Sequence, residues 1–282
     1  MTVLTNWLGS VALVLILSAC KVESVPTPST NVWQPSALDT FHMQLQTTPA
    51  TSLATNVAAS IYVIDLYDNT AEKIAQLKKQ GLKVVCYFSA GSSENWRSDF
   101  KRFLPADKGK NTSGWKGERW LDTRSSNVRN LMLGRLDTAV QKGCDGVDPD
   151  NVDGFTNATG FKLTAQDQLD YNRFLSSQAH LRGLAIGLKN DDTQLSELVN
   201  SFEFAINEQC HLYGSCTAYK AFTSIGKPVL NIEYQREYVL KKGGKFTSTS
   251  AFTKLCALAH AEKLHTQVLP LMLDGSYRFV CN

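Results

Sequence analysis

Lys79-Gln80-Gly81-Leu82-Lys83-Val84 decides how this chain folds. A helical run stops at a glycine, and a short apolar strand begins directly after it. The unit recurs as Gln141-Lys142-Gly143 leading to Gly146-Val147, as Leu181-Arg182-Gly183-Leu184-Ala185-Ile186 and as Ser224-Ile225-Gly226-Lys227-Pro228-Val229. Glycine just past a helix end takes the left-handed conformation that a β-carbon penalises. Helices and strands alternating at this spacing mean βα units and a parallel sheet.

Working outward, eight apolar segments read as strands: 41–45, 61–66, 83–88, 146–150, 185–188, 202–207, 229–234 and 268–273. Eight βα units in about 250 residues predict a TIM-type (β/α)8 barrel. The alternative is a doubly wound open sheet, which usually carries a glycine-rich phosphate loop after an early strand; the sequence has none. Val128, Leu131, Met132, Leu136, Ala139 and Val140 fall on one helix face. Thr164 before Ala165-Gln166-Asp167 reads as an N-cap with an acidic third position.

The 282 residues suit one such barrel, and an apolar fraction of 43% supplies a sizeable core. Lys and Arg total 29 against 26 Asp and Glu, a net +3 without clusters. That excludes a nucleic-acid footprint.

Residues 7–17 form an apolar run broken only by Gly9 and Ser10, short for a bilayer span but right for a signal sequence. It ends in Leu17-Ser18-Ala19-Cys20, which resembles a bacterial lipobox, although residues 1–19 contain no Lys or Arg. The expected organisation is a signal peptide over 1–19, a flexible tether over 20–32 and a barrel over 33–282. Export follows, with the protein secreted or held at a membrane through a lipidated Cys20. Six further cysteines are an even set suited to disulfides in that compartment. Cys210 with Cys216 closes a short loop, and Cys256 with Cys281 is a second expected pair.

In a barrel the chemistry sits at the C-terminal strand ends. Those ends carry Gln44, then Asp65, Tyr67 and Asp68, then Tyr87, Ser89 and Glu94, then Asp148, Asp150 and Asp153. Lys189 and Asn190 follow, with Asn207, Glu208 and Gln209, Glu233 and Tyr234, and Asp274. Like charges gathered on one face repel unless a function holds them. Two carboxylates flanking one bond are what glycoside hydrolysis needs. Asp150 and Glu208 are the expected catalytic pair, with Asp148 the alternative nucleophile. The expected substrate contacts are Asp65, Tyr67, Tyr87, Ser89, Asp148, Asp153, Lys189, Asn207, Glu233, Tyr234 and Asp274. Trp96, Trp115 and Trp120 lie in the long segment after the third strand and suit sugar stacking.

No metal or cofactor is expected. Asp148-Pro149-Asp150-Asn151-Val152-Asp153-Gly154 looks like a calcium loop, but its third carboxylate falls at position 6 and position 12 is Thr159. The five histidines show no ligand spacing.

Phe88-Ser89-Ala90-Gly91 with Trp96-Arg97, Gly117-Glu118-Arg119-Trp120-Leu121-Asp122, Cys144-Asp145-Gly146-Val147-Asp148-Pro149-Asp150-Asn151-Val152-Asp153 and Asn207-Glu208-Gln209-Cys210 together resemble glycoside hydrolase family 114. The resemblance implies a TIM barrel and an endo-α-1,4-polygalactosaminidase acting on galactosamine polymers of biofilm matrices, with the catalytic pair on Asp150 and Glu208. The first strand departs from it, reading Phe41-His42-Met43-Gln44 where the family has tryptophans flanking the glutamine. A de-N-acetylated polymer is polycationic, so an acidic cleft would attract it. The alternatives are a non-catalytic carbohydrate-binding lipoprotein and a glycosidase acting on another α-linked polysaccharide. A monomer acting on a polysaccharide, with the two carboxyls near the retaining separation, completes the expectation.

Overall fold

The computed structural model describes residues 32–47, 52–234 and 236–281. The signal peptide, Cys20 and nearly all of the tether lie outside the described residues. No described helix is long and apolar enough to cross a membrane.

Eight parallel strands form the barrel: β1 (Phe41–Gln44), β2 (Ile61–Asp65), β3 (Lys83–Ser89), β4 (Gly146–Asp150), β5 (Ala185–Lys189), β6 (Phe204–Glu208), β7 (Val229–Glu233) and β8 (His265–Val268). Each pairs in parallel with the next, from β1 through β8. The crossovers from β2 onward carry α1 (Ala71–Lys78), α2 (Ser126–Lys142), α3 (Ala165–Leu181), α4 (Leu195–Leu198), α5 (Cys210–Tyr213), α6 (Lys220–Thr223) and α7 (Ser250–Glu262). The four glycines that mark the repeats, Gly81, Gly143, Gly183 and Gly226, have φ of 83°, 83°, 73° and 79°. Thr164 caps α3 as expected: its Oγ1 accepts from the Asp167 amide at 3.1 Å, and its own amide donates back to Asp167 Oδ2 at 2.8 Å.

Strand periodicity divides the core in two. Met43, Ile61, Val63, Val85, Ile206 and Ile232 point into the barrel. Tyr62, Ile64, Cys86, Phe88, Val147 and Leu188 point outward and pack under the helices. On α2 the expected apolar face is buried except for Val140, which is exposed.

The barrel closes unevenly. Among the described residues no backbone ladder joins β8 to β1. Instead the side chains of Gln267 and Arg278 both donate to the Phe41 carbonyl. Above them the Leu45 and Gln46 amides donate to the Leu273 carbonyl at 3.0 and 3.1 Å. A last strand, Phe279–Val280, runs antiparallel beside β8.

The eighth strand is the clearest correction to the sequence reading, since it spans His265–Val268 rather than 268–273. Two of its three buried positions are polar and paired: Thr266 Oγ1 donates to Asn231 Oδ1 on the helix side, while Gln267, on the inward parity, reaches Phe41. The apolar run after it contains Pro270, which cannot donate to a ladder, and it turns at Leu273 with φ 48°. Leu271 and Met272 stand 62% and 46% exposed. Disulfides link Cys210–Cys216 and Cys256–Cys281, the two expected pairs, and also Cys86–Cys144.

Candidate active site

The β3–β4 crossover leaves the barrel to build one wall of a cleft over the strand ends. Segments Ser92–Glu94, Lys108–Asn111 and Glu118–Leu121 make a small antiparallel sheet there. It docks where the Ala90 and Gly91 amides donate to the Asp150 carbonyl at 2.8 and 3.0 Å. A β-carbon at Gly91 would lie 1.6 Å from the Asn151 carbonyl oxygen, so only glycine permits this approach. Across the cleft stand Leu45 and the 271–273 turn. The cleft holds about 960 Å³ and is lined by Trp96, Trp115 and Trp120. Its lining carries seven carboxyl groups against a single guanidinium, that of Arg97.

Asp150 ends β4 and Glu208 ends β6, both on the inward parity of their strands. Asp150 is fully engaged: Oδ1 accepts from the Asn151 amide at 2.8 Å, and Oδ2 from the Tyr87 hydroxyl at 2.9 Å. Glu208 Oε1 accepts from the Tyr234 hydroxyl at 3.0 Å, while Oε2 takes no hydrogen bond among the described residues. Between them, at the end of β5, the Lys189 ammonium lies 3.4 Å from Asp150 Oδ1 and 3.2 Å from Glu208 Oε1. On its other side Asp148 Oδ2 is 3.8 Å away. The residue after each of these strand ends is left-handed: Asn151, Asn190 and Gln209 have φ of 61°, 50° and 66°. Such conformations cost side-chain-bearing residues about 1–2 kcal/mol each and gather where a site dictates the backbone.

Charge is distributed unevenly in this floor. Burial opposes a charge on Lys189, but Asp148, Asp150 and Glu208 outweigh it and hold the ammonium protonated. Burial pushes Asp148 up to about 7, against the pull of Lys189. Tyr87 and Tyr234 are raised well above their ordinary range, first by burial and then by the carboxylate each one faces, so both remain donors. Burial, then Asp150, lifts Asp153 to about 6; burial, then Glu94, lifts Glu118 to about 7. A side pocket beside Glu208 is lined by Asp153, Asp191 and Asp192 without any Lys or Arg.

The structure gathers only part of the expected set at the cleft surface. Asp150, Glu208, Tyr87, Asp153 and Tyr234 line it. Asp148 and Lys189 form the floor beneath, 0% and 1% exposed. Asp65 borders the cleft with both oxygens on the Arg97 guanidinium. Asn207 and Glu233 sit on the outward parity of β6 and β7. Asn207 donates to the Tyr219 hydroxyl, and Glu233 Oε1 accepts from the His211 amide, both on the helix side. Tyr67 lies under the inserted wall, donating to Asp99; Ser89 is buried against Ser92; Asp274 closes a turn by accepting the Ser276 amide. Glu118 and the Leu271–Met272 rim were not anticipated as cleft residues. The rim was hidden because its apolar run imitates a strand.

A carboxylate fixed by two donors, facing a second with a free oxygen across an open cleft, has the layout of a nucleophile and a proton donor around a glycosidic bond. Barrel and site together define a glycoside hydrolase. The sequence model of glycoside-hydrolase family GH114 matches residues 22–282, and the chain belongs to that family. No curated protein sequence matches it. Among solved structures it is similar to Aspergillus fumigatus Ega3, solved in complex with galactosamine: 39% identity and TM-score 0.83, covering 90% of this chain and 99% of that one. It shares the fold of the glycoside hydrolase domain of PelA from Pseudomonas aeruginosa, at 17% identity and TM-score 0.62, covering 83% of this chain and 96% of that one.

Proposed function

We propose that this protein is an extracytoplasmic endo-glycosidase that hydrolyses α-1,4-linked galactosamine polymers, with Asp150 as nucleophile and Glu208 as acid/base. The observation that carries the reading is the pair itself: two inward carboxylates on β4 and β6, both within reach of one buried ammonium. Two carboxylates held at 3.4 and 3.2 Å from one nitrogen lie close to each other, which supports the retaining geometry over the wider inverting one. An open cleft near the upper end of the usual pocket range supports an interior cut in a chain. Its excess of carboxyls suits a polycation, and the galactosamine bound to Ega3 points to the same amino sugar.

Three disulfides fit a chain that folds outside the cytoplasm. The finer reading, cleavage before Cys20 and a lipid on it, rests on Leu17-Ser18-Ala19-Cys20. It is tested by whether Cys20→Ser releases the protein from the membrane fraction. A site built from one chain supports action as a monomer.

The deciding experiment incubates the protein with galactosamine oligomers and with their N-acetylated forms, and sizes the products by mass spectrometry. Shortened internal fragments from the free-amine chain are expected. Binding without shortening would favour a carbohydrate-binding protein, and shortening of neither chain would overturn the reading.

A further inference from the structure

We propose that Lys189 is a positioning residue: its ammonium is the shared counter-ion of Asp150 and Glu208, holding the pair's single negative charge as that charge crosses between them in each turnover. The proposal rests on the catalytic pair assigned above.

Its basis is placement. Lys189 is 1% exposed, so it is a floor group rather than a surface hand for sugar. Its ammonium stands at 3.4 Å from one carboxylate and 3.2 Å from the other, nearly equidistant. It makes no directed hydrogen bond and is held there by charge. Among the described residues it is the sole cation within salt-bridge reach of either carboxylate. Behind it, Asp148 is wholly buried with both oxygens lacking a hydrogen-bond donor, and the ammonium at 3.8 Å is the cation that faces it. From β3 the Tyr87 ring presents its face to the ammonium, 5.5 Å from the ring centre. From beyond β7 the Tyr234 hydroxyl is spent on Glu208, and Asp153 lies past Asp150 at the cleft surface.

The chemistry gives that placement a use. In the first half-reaction an Asp150 oxygen bonds to the anomeric carbon, and the glycosidic C–O bond breaks. Its electron pair leaves with the oxygen, which takes the Glu208 proton. Asp150 becomes a neutral ester and Glu208 a carboxylate. In the second, Glu208 takes a proton from water, the water oxygen bonds to the anomeric carbon, and the ester C–O pair returns to Asp150. One unit of negative charge has travelled from Asp150 to Glu208 and back. A fixed cation between the two serves both end states without reorganising, which is how a preorganised site lowers a barrier. An inverting course moves the charge between the same two groups, so the role does not depend on stereochemistry.

The test is the pH–rate profile of Lys189→Met on galactosamine oligomers. Without the cation, the carboxylate that must be ionised protonates more easily, and the acid that must be protonated keeps its proton longer. Both limbs should move to higher pH by about one unit or more, with kcat falling and KM changing little. Lys189→Arg, which keeps the charge, should leave the limbs near their wild-type positions. Should Lys189→Met fail to fold, the Asp148→Asn/Lys189→Met double variant, which buries neither charge, is compared with Asp148→Asn and should show the same upward displacement. Lower activity with both limbs in place would mean that Lys189 only fills space, and would overturn the proposal. A wild-type protein that cleaves no galactosamine chain would sink the proposed function instead. In that case, carbon-13 titration of side-chain carboxyls in wild type and Lys189→Met still decides: two midpoints moving upward are expected, and none moving refutes the shared counter-ion.

Discussion

The Tyr87 hydroxyl donates to Asp150 Oδ2 at 2.9 Å across the β3–β4 ladder, where the two residues are two positions out of register and share the inward face. This donor fixes one oxygen of Asp150 and leaves the other to the Asn151 amide. A hydrogen bond to a charged group is worth about 1.5–3 kcal/mol. Tyr87→Phe should therefore lower kcat by about 10- to 100-fold with little change in KM. Wild-type turnover in that variant would show the bond to be idle.

Asp150→Asn and Glu208→Gln remove the two proposed catalytic roles. Each should cut kcat by about a thousandfold or more, while melting temperature stays close to wild type because both groups border solvent. If Asp150→Asn keeps turnover, the nucleophile is Asp148, whose buried carboxyl lies on the same strand face.

The product configuration is open to direct observation. Retention predicts that the α-anomer forms first, with the β-anomer growing in only by mutarotation. Proton NMR of the anomeric region in the first minutes reads this, and a β-first product would assign inversion.

Acidic lining predicts salt sensitivity. For free-amine chains kcat/KM should fall as ionic strength rises from about 0.01 M to 0.5 M, because screening shortens the reach of the cleft field. Neutral N-acetylated chains should show no such slope, and equal slopes for both polymers would remove the electrostatic account of selectivity.

Much of this was readable from residues alone. Four glycines announced the barrel because a helix that must stop and return along the sheet needs a left-handed residue at its end. Asp150 and Glu208 were legible as strand-terminal carboxylates. What was lost was parity. Asn207 and Glu233 are also strand-terminal and polar, yet each lies one residue off the inward face, and counting by twos from Ile206 and Ile232 would have turned them outward. The position of β8 was hidden for a different reason: its buried Thr266 and Gln267 are polar because they answer Asn231 and the open Phe41 carbonyl, partners far away in sequence.

Protonation also bears on stability. Burial raises Glu118 and Glu233 to about 7 and Asp191 to about 8, against about 4 for exposed carboxyls. Between those limits the folded chain binds more protons than the unfolded chain, so stability is greatest on the acid side and declines as pH rises. Asp107 and Asp167 are lowered and act in the opposite sense in more acid solution. His42, lowered by burial to about 4, and His211, also lowered by burial, oppose the decline below their ordinary range near 6.5, where the larger set of raised carboxyls outweighs them. Melting temperature should fall from pH 5 to pH 8, with a shallower fall in Glu118→Gln. A melting temperature that rises across that interval would contradict these burial effects.

The gap between β8 and β1 gives the molecule a grain, as wood has. Among the described residues, seven junctions of the barrel are laddered backbone to backbone, while the eighth is fastened by two side chains and two amides above them. Slow exchange of amide hydrogens is the mark of a ladder, so Phe41–Gln44, laddered on one side only among the described residues, should exchange ahead of the central strands. The Leu273 carbonyl that ties this gap belongs to the turn carrying Leu271 and Met272. A parting there would widen the groove at one end, letting a long chain thread in sideways where a sealed ring would admit it only from above.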